Sequence, residues 1–150
     1  NEPRVTPIDL YNDGLTIWLL AEPGGKIANI MRNPNVSVGV YEPVDHSLEQ
    51  KSLQYFGTAE VINMKNNPDE CSRRLASFGI AEALKGMIEE YALGGKLPEG
   101  QSDALYERFS KMVNLIKITP KKMILLHMAP GEFPVRKTWE PDKAVMQSLG

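Results

Sequence analysis

Cysteine is nearly absent from this chain, and long apolar runs are missing altogether. Its 150 residues include one cysteine, Cys71, which excludes an intramolecular disulfide framework. A single free cysteine is compatible with a reducing compartment, so we expect the protein to be located in the cytoplasm. No apolar segment is long enough to span a bilayer, and no signal-peptide pattern is visible, so we expect no membrane association. The chain has a formal net charge of -2, whereas nucleic-acid-binding proteins carry concentrated positive charge, so we expect no nucleic-acid partner.

Three common cofactor motifs are also missing. A nucleotide-triphosphate loop ending at Lys26 would need glycine at position 20 and a hydroxyl residue at position 27, where the chain has Leu20 and Ile27. No Gly-x-Gly-x-x-Gly fingerprint for a dinucleotide occurs. His46 and His127 have no cysteine or carboxylate at ligand spacing, so we expect no metal site.

Strand and turn signals fill the first part of the chain. Two strand-like runs, Arg4–Asp9 and Leu15–Ala21, flank the turn Tyr11–Gly14. Asp-Gly between two apolar runs predicts a β-hairpin.

A glycine-rich turn follows the second of these strands. Glu22-Pro23-Gly24-Gly25 leads into a short helix predicted over Lys26–Arg32, after which Asn33-Pro34-Asn35 ends the helix and Val36–Tyr41 begins a third strand. The start of this helix would bring together free N–H groups, the positive end of the helix dipole and the Lys26 ammonium. All three favour a negative charge there, so the turn could bind a phosphate. A solvated lysine at a turn is the alternative interpretation.

Further strands enclose a helical region. Strand patterns cover Lys51–Ile62 and, around Pro120, Ile116–Thr119 and Lys122–Met128, whereas residues 130–139 read as irregular.

The helical region, about residues 68–113, carries two helical patterns. The first has Asn67 as its cap and Pro68 at its first position, and it stops at Gly94-Gly95. The second is capped by Ser102 and Asp103.

The order and spacing of these pieces resemble the pyridoxamine 5'-phosphate oxidase-like family of FMN-binding split barrels. The resemblance covers residues 3–62 well and 113–140 loosely. The matching elements are Pro3–Pro7, Gly24-Gly25-Lys26, Arg32-Asn33-Pro34, Val36–Tyr41 and the strand Lys51–Val61 with its Gly-Thr-Ala-Glu element. The resemblance implies one mainly β domain with α-helices over residues 1–150, an antiparallel six-stranded split β-barrel with peripheral helices. Because the family places an N-terminal helix and a first strand before this point, we expect those to be missing here.

The resemblance also implies FMN as the cofactor and a set of residues that bind it. Lys26 and Arg4 would hold the flavin phosphate, because family members place an arginine there and its planar fork suits a bidentate contact. Thr6 lies two residues after Arg4 and shares its face of the strand. The full set is Arg4, Val5, Thr6, Pro7, Leu19, Leu20, Ala21, Gly25, Lys26, Gln54 and Trp139. The alternatives are an outward Arg4, an exposed Gln54 and a Trp139 in the core or an interface.

Two functions follow from this resemblance, and a third needs no cofactor. The first is an FMN-dependent oxidoreductase acting on an unidentified small molecule, with no catalytic residue assigned. The second is a non-catalytic flavin- or haem-binding protein on the same barrel, and the third is a partner-binding barrel. The vitamin-B6 oxidases grip their substrate with Arg-x-His, and this chain has Arg136-Lys137-Thr138, which argues against pyridoxamine phosphate oxidation. A homodimer with flavin at the subunit junction is also implied, and two-fold dimers are the commonest oligomers.

Overall fold

Six β-strands and four α-helices follow one another in the part of the chain that the structure describes. That structure is a computed structural model, and it describes residues 5–43, 48–96, 98 and 100–141. Arg4 and His46 lie outside the described residues. The elements are β1 (Leu10–Asp13), β2 (Thr16–Ala21), α1 (Gly25–Arg32), β3 (Asn35–Tyr41), β4 (Gln50–Asn63), α2 (Pro68–Ser77), α3 (Ile80–Leu93), α4 (Ser102–Met112), β5 (Asn114–Met128) and β6 (Val135–Trp139).

All six strands form one antiparallel sheet in the order β1-β2-β5-β4-β3, with β6 also paired to β5. Along one edge β5 pairs with β4 for its whole length. Its other edge pairs first with β2, over residues 114–118, and then with β6, over residues 123–127. The predicted mainly β, six-stranded antiparallel architecture is confirmed, and among the described residues the sheet is open, with β1 and β3 as its end strands.

The first hairpin is present, but its predicted position was wrong. Asp13 pairs with Thr16, which leaves Gly14 and Leu15 as the two turn residues, and Gly14 has a φ of 58°. A two-residue turn with a left-handed first residue matches the twist of the strands it joins. The turn therefore lies after Asp13, β1 begins only at Leu10, and residues 5–9 form no strand.

Two further predictions for the strands were wrong for a tertiary reason. The predicted break at Pro120 is a bulge within a single strand, because Gly57 pairs with Pro120 and Phe56 with Lys122, leaving Lys121 as an extra residue. Residues 135–139, predicted to be irregular, form β6 because β2 ends along β5 and leaves the edge at Met123–His127 open for pairing.

Among its described residues, the helical region has three helices where the sequence predicted two. Asn67 caps α2 as predicted, its side chain accepting the Glu70 N–H at 3.3 Å. Gly79, with a φ of 70°, then separates α2 from α3. Ser102 is the first residue of α4 rather than its cap, since Gln101 precedes the helix without a capping bond.

The two faces of the sheet carry separate cores, because successive side chains of a strand point to opposite sides. On the α1 face, Ile17, Leu19 and Tyr55 pack with Ile30 of α1. On the α2 face, Trp18 and Leu115 pack with side chains of α2 and α3. No helix among the described residues is long and apolar enough to cross a membrane.

Candidate functional site

The beginning of α1 is an uncapped helix end with a cation beside it. Gly24 precedes the helix and offers no side chain, and the first helical bond runs from the Ala28 N–H to the Gly24 carbonyl at 3.1 Å. The N–H groups of Gly25, Lys26 and Ile27 come before that bond and have no partner inside the helix. The first turn carries no acidic side chain, and within the described residues half-buried Lys26 has no ion-pair partner. These free donors and the ammonium form a place where an anion can bind.

The end of β2 leads directly into this turn and has a free backbone edge. Leu19, Leu20 and Ala21 pair with β5 on one side. On the other side β1 reaches only as far as Leu19, so among the described residues no strand pairs with that edge at Leu20 and Ala21. Leu19 and Ala21 are buried on the α1 face, whereas Leu20 lies on the α2 face and is 37% exposed. A planar ligand with acceptors and donors along its edge could bind this backbone.

The segment before β1 approaches the same core without forming a strand. Val5, Thr6 and Pro7 are exposed, and Ile8 packs against the core of the α1 face. No hydrogen bond links Thr6 to Lys26 among the described residues, and the predicted role of Arg4 lies outside them.

Gln54 and Trp139 lie at the far end of the sheet, on opposite faces of it. Gln54 is exposed on the α2 face and pairs with Ile124, while half-buried Trp139 pairs with the neighbouring Met123 and packs on the α1 face. Leu20 shares its row of the sheet with Ile62, which is eight residues from Gln54 along β4. At a rise of about 3.3 Å per residue, those eight residues span about 26 Å. A single chain therefore separates the predicted cofactor residues into two groups, one at each end of the sheet.

A cleft of about 540 Å³ lies elsewhere, between the α2 face and the start of α2. Most of its charged side chains are paired with each other: Arg74 with Asp13 and Glu70, Arg73 also with Glu70, and Lys117 with Glu60. Hydrogen bonds from the two arginines, that of Arg73 first, hold the pKa of Glu70 below its usual value. Because its aromatic wall, Trp18, is fully buried, the cleft offers a ligand little apolar surface. We therefore place the candidate cofactor site at α1 rather than here.

Two buried titratable groups of the described residues, Tyr55 and Cys71, have structural roles. The Tyr55 hydroxyl lies 2.8 Å from the carbonyl oxygens of Leu15 and Ile118 and shares its single proton between them, and burial raises the pKa of Tyr55 to about 12. Burial also raises the pKa of the Cys71 thiol, which makes it a poor nucleophile. No group of three or more metal-ligating side chains occurs in the described part of the chain.

Comparison with solved structures bears on the fold. The chain is similar to a pyridoxamine 5'-phosphate oxidase-related, FMN binding protein from Nostoc punctiforme PCC 73102, with a TM-score of 0.53 over 95% of this chain and 77% of that one. The predicted fold is confirmed. The two sequences are 16% identical, so this split-barrel likeness concerns the fold alone. No family model and no curated protein matches the sequence.

Proposed function

We propose that the protein binds FMN and acts as a flavin-dependent oxidoreductase on a small molecule. The observation that carries the proposal is the uncapped start of α1, with a Lys26 that has no ion-pair partner among the described residues, in a chain that shares its fold with an FMN-binding protein. A phosphate dianion entering a protein must exchange its hydration for fixed donors. The start of α1 supplies such donors with little reorganisation.

In the proposed site, different residues at this end of the sheet bind the phosphate and the ring of the flavin. Lys26 and the N–H groups from Gly25 onward hold the phosphate, with Arg4 as the second cation and Thr6 and its neighbours beside it. The free backbone edge at Leu20 and Ala21 binds the edge of the flavin ring. When bound, FMN supplies the hydride or electron transfer, and the chain supplies binding and orientation.

We further propose that two chains complete each flavin site, as a homodimer. The separation of about 26 Å along β4, from the row of Leu20 to Gln54, supports this, because a second copy can bring Gln54 or Trp139, which lie on opposite faces of its sheet, to the flavin of the first. The far end of the α2 face also offers apolar surface for such contact, at Phe56, Ile124 and Leu126. Light scattering at about 10 μM protein tests the proposal, and a monomer with FMN fully bound would contradict it.

Binding without turnover is the second candidate function. Among the described residues Thr138 stands where the vitamin-B6 oxidases have the histidine of Arg-x-His, and no paired acid and base lies near Lys26. Pyridoxamine phosphate is therefore not the substrate that we propose. The free Cys71 supports a cytoplasmic location for either function.

The absorbance spectrum of the purified protein, followed by that of its heat-released ligand, tests the proposed cofactor. We expect a flavin spectrum and FMN in the released fraction. A haem spectrum would contradict the flavin, and a colourless protein that takes up neither FMN nor riboflavin would contradict the proposal as a whole. Flavin reduction by NADH or NADPH, followed by reoxidation, then separates turnover from binding alone.

A further inference from the structure

Four contacts from three parts of the fold meet at the side chain of Arg74. Its guanidinium bonds to Asp13 at 2.6 Å and to Glu70 at 2.9 Å, and its central carbon lies 4.6 Å from the centre of the Trp18 ring and 5.8 Å from that of Phe78. Only 12% of the side chain is exposed. We call Arg74 with Asp13, Glu70 and Trp18 the Arg74 cluster.

The Arg74 cluster joins α2 to the β1–β2 hairpin at two points. Asp13 ends β1 immediately before the turn, and Trp18 lies in β2 two residues before Leu20. Glu70 belongs to the first turn of α2 and supplies the anchor on the helical side. Since β1 is an end strand of the sheet and only four residues long, this contact from α2 adds a restraint that the strand ladder alone does not supply.

Arginine is the side chain that can make all of these contacts together. Its planar fork donates to two carboxylates in different directions while its face stacks on an aromatic ring. A lysine ammonium is a compact point charge and cannot stack in this way.

We propose that Arg74 is a positioning residue that couples α2 to the β1–β2 hairpin and so fixes the end of β2 beside the candidate cofactor site. The coupling stands on the contacts of the Arg74 cluster. Its consequence for flavin binding rests on the proposed function. Cys71 and Leu75 of α2 pack against the sheet through contacts that do not involve Arg74, so we expect loss of the cluster to loosen the hairpin without releasing α2.

Hydrogen exchange of the cofactor-free protein tests the coupling, with Arg74→Met as the main variant. Methionine keeps an apolar stem and removes the charged fork. Arg73→Met is the matched control, because Arg73 also binds Glu70 but is 63% exposed, and among the described residues its ion pair is with Glu70 alone. We expect amide exchange in Leu10–Ala21 to become about 5- to 30-fold faster in Arg74→Met and to stay unchanged in Arg73→Met.

Asp13→Ala provides a second variant in case Arg74→Met does not fold. The Asp13 side chain is 57% exposed, and its replacement removes only the hairpin side of the cluster. Faster hairpin exchange in Asp13→Ala supports the coupling. Unchanged hairpin exchange in this variant, or an equal rise in Arg73→Met, would overturn it.

Flavin affinity tests the consequence for the site. Because the hairpin carries the ring-binding edge rather than the phosphate site, Asp13→Ala and Arg74→Met should weaken FMN and riboflavin by the same factor. Equal affinities in wild type and in a variant whose hairpin has loosened would overturn the link to the site. If the wild-type protein binds neither ligand, the proposed function fails, and the exchange experiment still decides whether the coupling exists.

Discussion

The substitution Lys26→Ala should distinguish the contribution of the phosphate to flavin binding from that of the rest of the flavin. Lys26 is half-buried beside the free N–H groups of α1 and is unpaired among the described residues, so in the proposed site its ammonium is available to the phosphate. A hydrogen bond to a charged group is worth about 1.5–3 kcal/mol. Its loss should weaken FMN binding by about tenfold to a hundredfold. Riboflavin lacks the phosphate, so its affinity should hardly change.

The same substitution should act in the opposite direction on the protein without ligand. Lys26 places a positive charge in the first turn of α1, where the helix dipole is also positive, and alanine has the higher helix propensity. The cofactor-free variant should therefore be as stable as wild type or more stable, by about 0.3–1 kcal/mol. Lower FMN affinity combined with unreduced stability is the expected signature of a residue retained for binding.

Flavin fluorescence titrations of wild type and variant, with both ligands, measure the affinities, and urea unfolding measures the stability. Lys65→Ala is the matched control, since Lys65 is exposed and lies outside the candidate site. Equal losses for FMN and riboflavin would show that Lys26 acts on the ring or on folding. Unchanged affinity for both ligands would show that Lys26 is a solvated lysine at a turn and would refute the proposed phosphate site.

Two further predictions concern stability. Gly57→Ala should destabilise the protein by about 1–3 kcal/mol in urea unfolding, because a Cβ there would lie 2.5 Å from the Thr119 carbonyl oxygen and 2.8 Å from Cγ2 of Ile118. Gly39→Ala is the control, because a Cβ at that position would meet nothing within 4 Å. Equal losses of stability in the two variants would contradict the steric argument. The pKa of Glu70 is lowered in the folded protein, chiefly by the Arg73 hydrogen bond and then by that of Arg74, so its stabilising contribution is present above the unfolded pKa and is lost as the pH falls through the folded pKa. Wild type should therefore lose more stability than Glu70→Gln between about pH 5 and pH 3, and parallel pH profiles would contradict this linkage.

The parts of the protein that the sequence determined are those governed by neighbouring residues. Asn67 accepts the Glu70 N–H and Pro68 begins α2, as a local capping pattern requires. The Asp13-Gly14 pair marks the first hairpin, and Gly94 follows the end of α3. These features depend on a few adjacent side chains and were predicted from them, whereas the turn residues of the hairpin and the start of α4 were not.

Tertiary pairing decided the rest, because it depends on which strand edges are free. β6 forms since β2 leaves part of β5 unpaired, and β5 continues through Pro120 because Gly57 accommodates the bulge. The strand register likewise places Gln54 about 26 Å along β4 from the row of Leu20, and local sequence patterns do not predict this separation. The Arg74 cluster brings together residues 61 positions apart, Asp13 and Arg74, which only packing of α2 on the sheet makes neighbours.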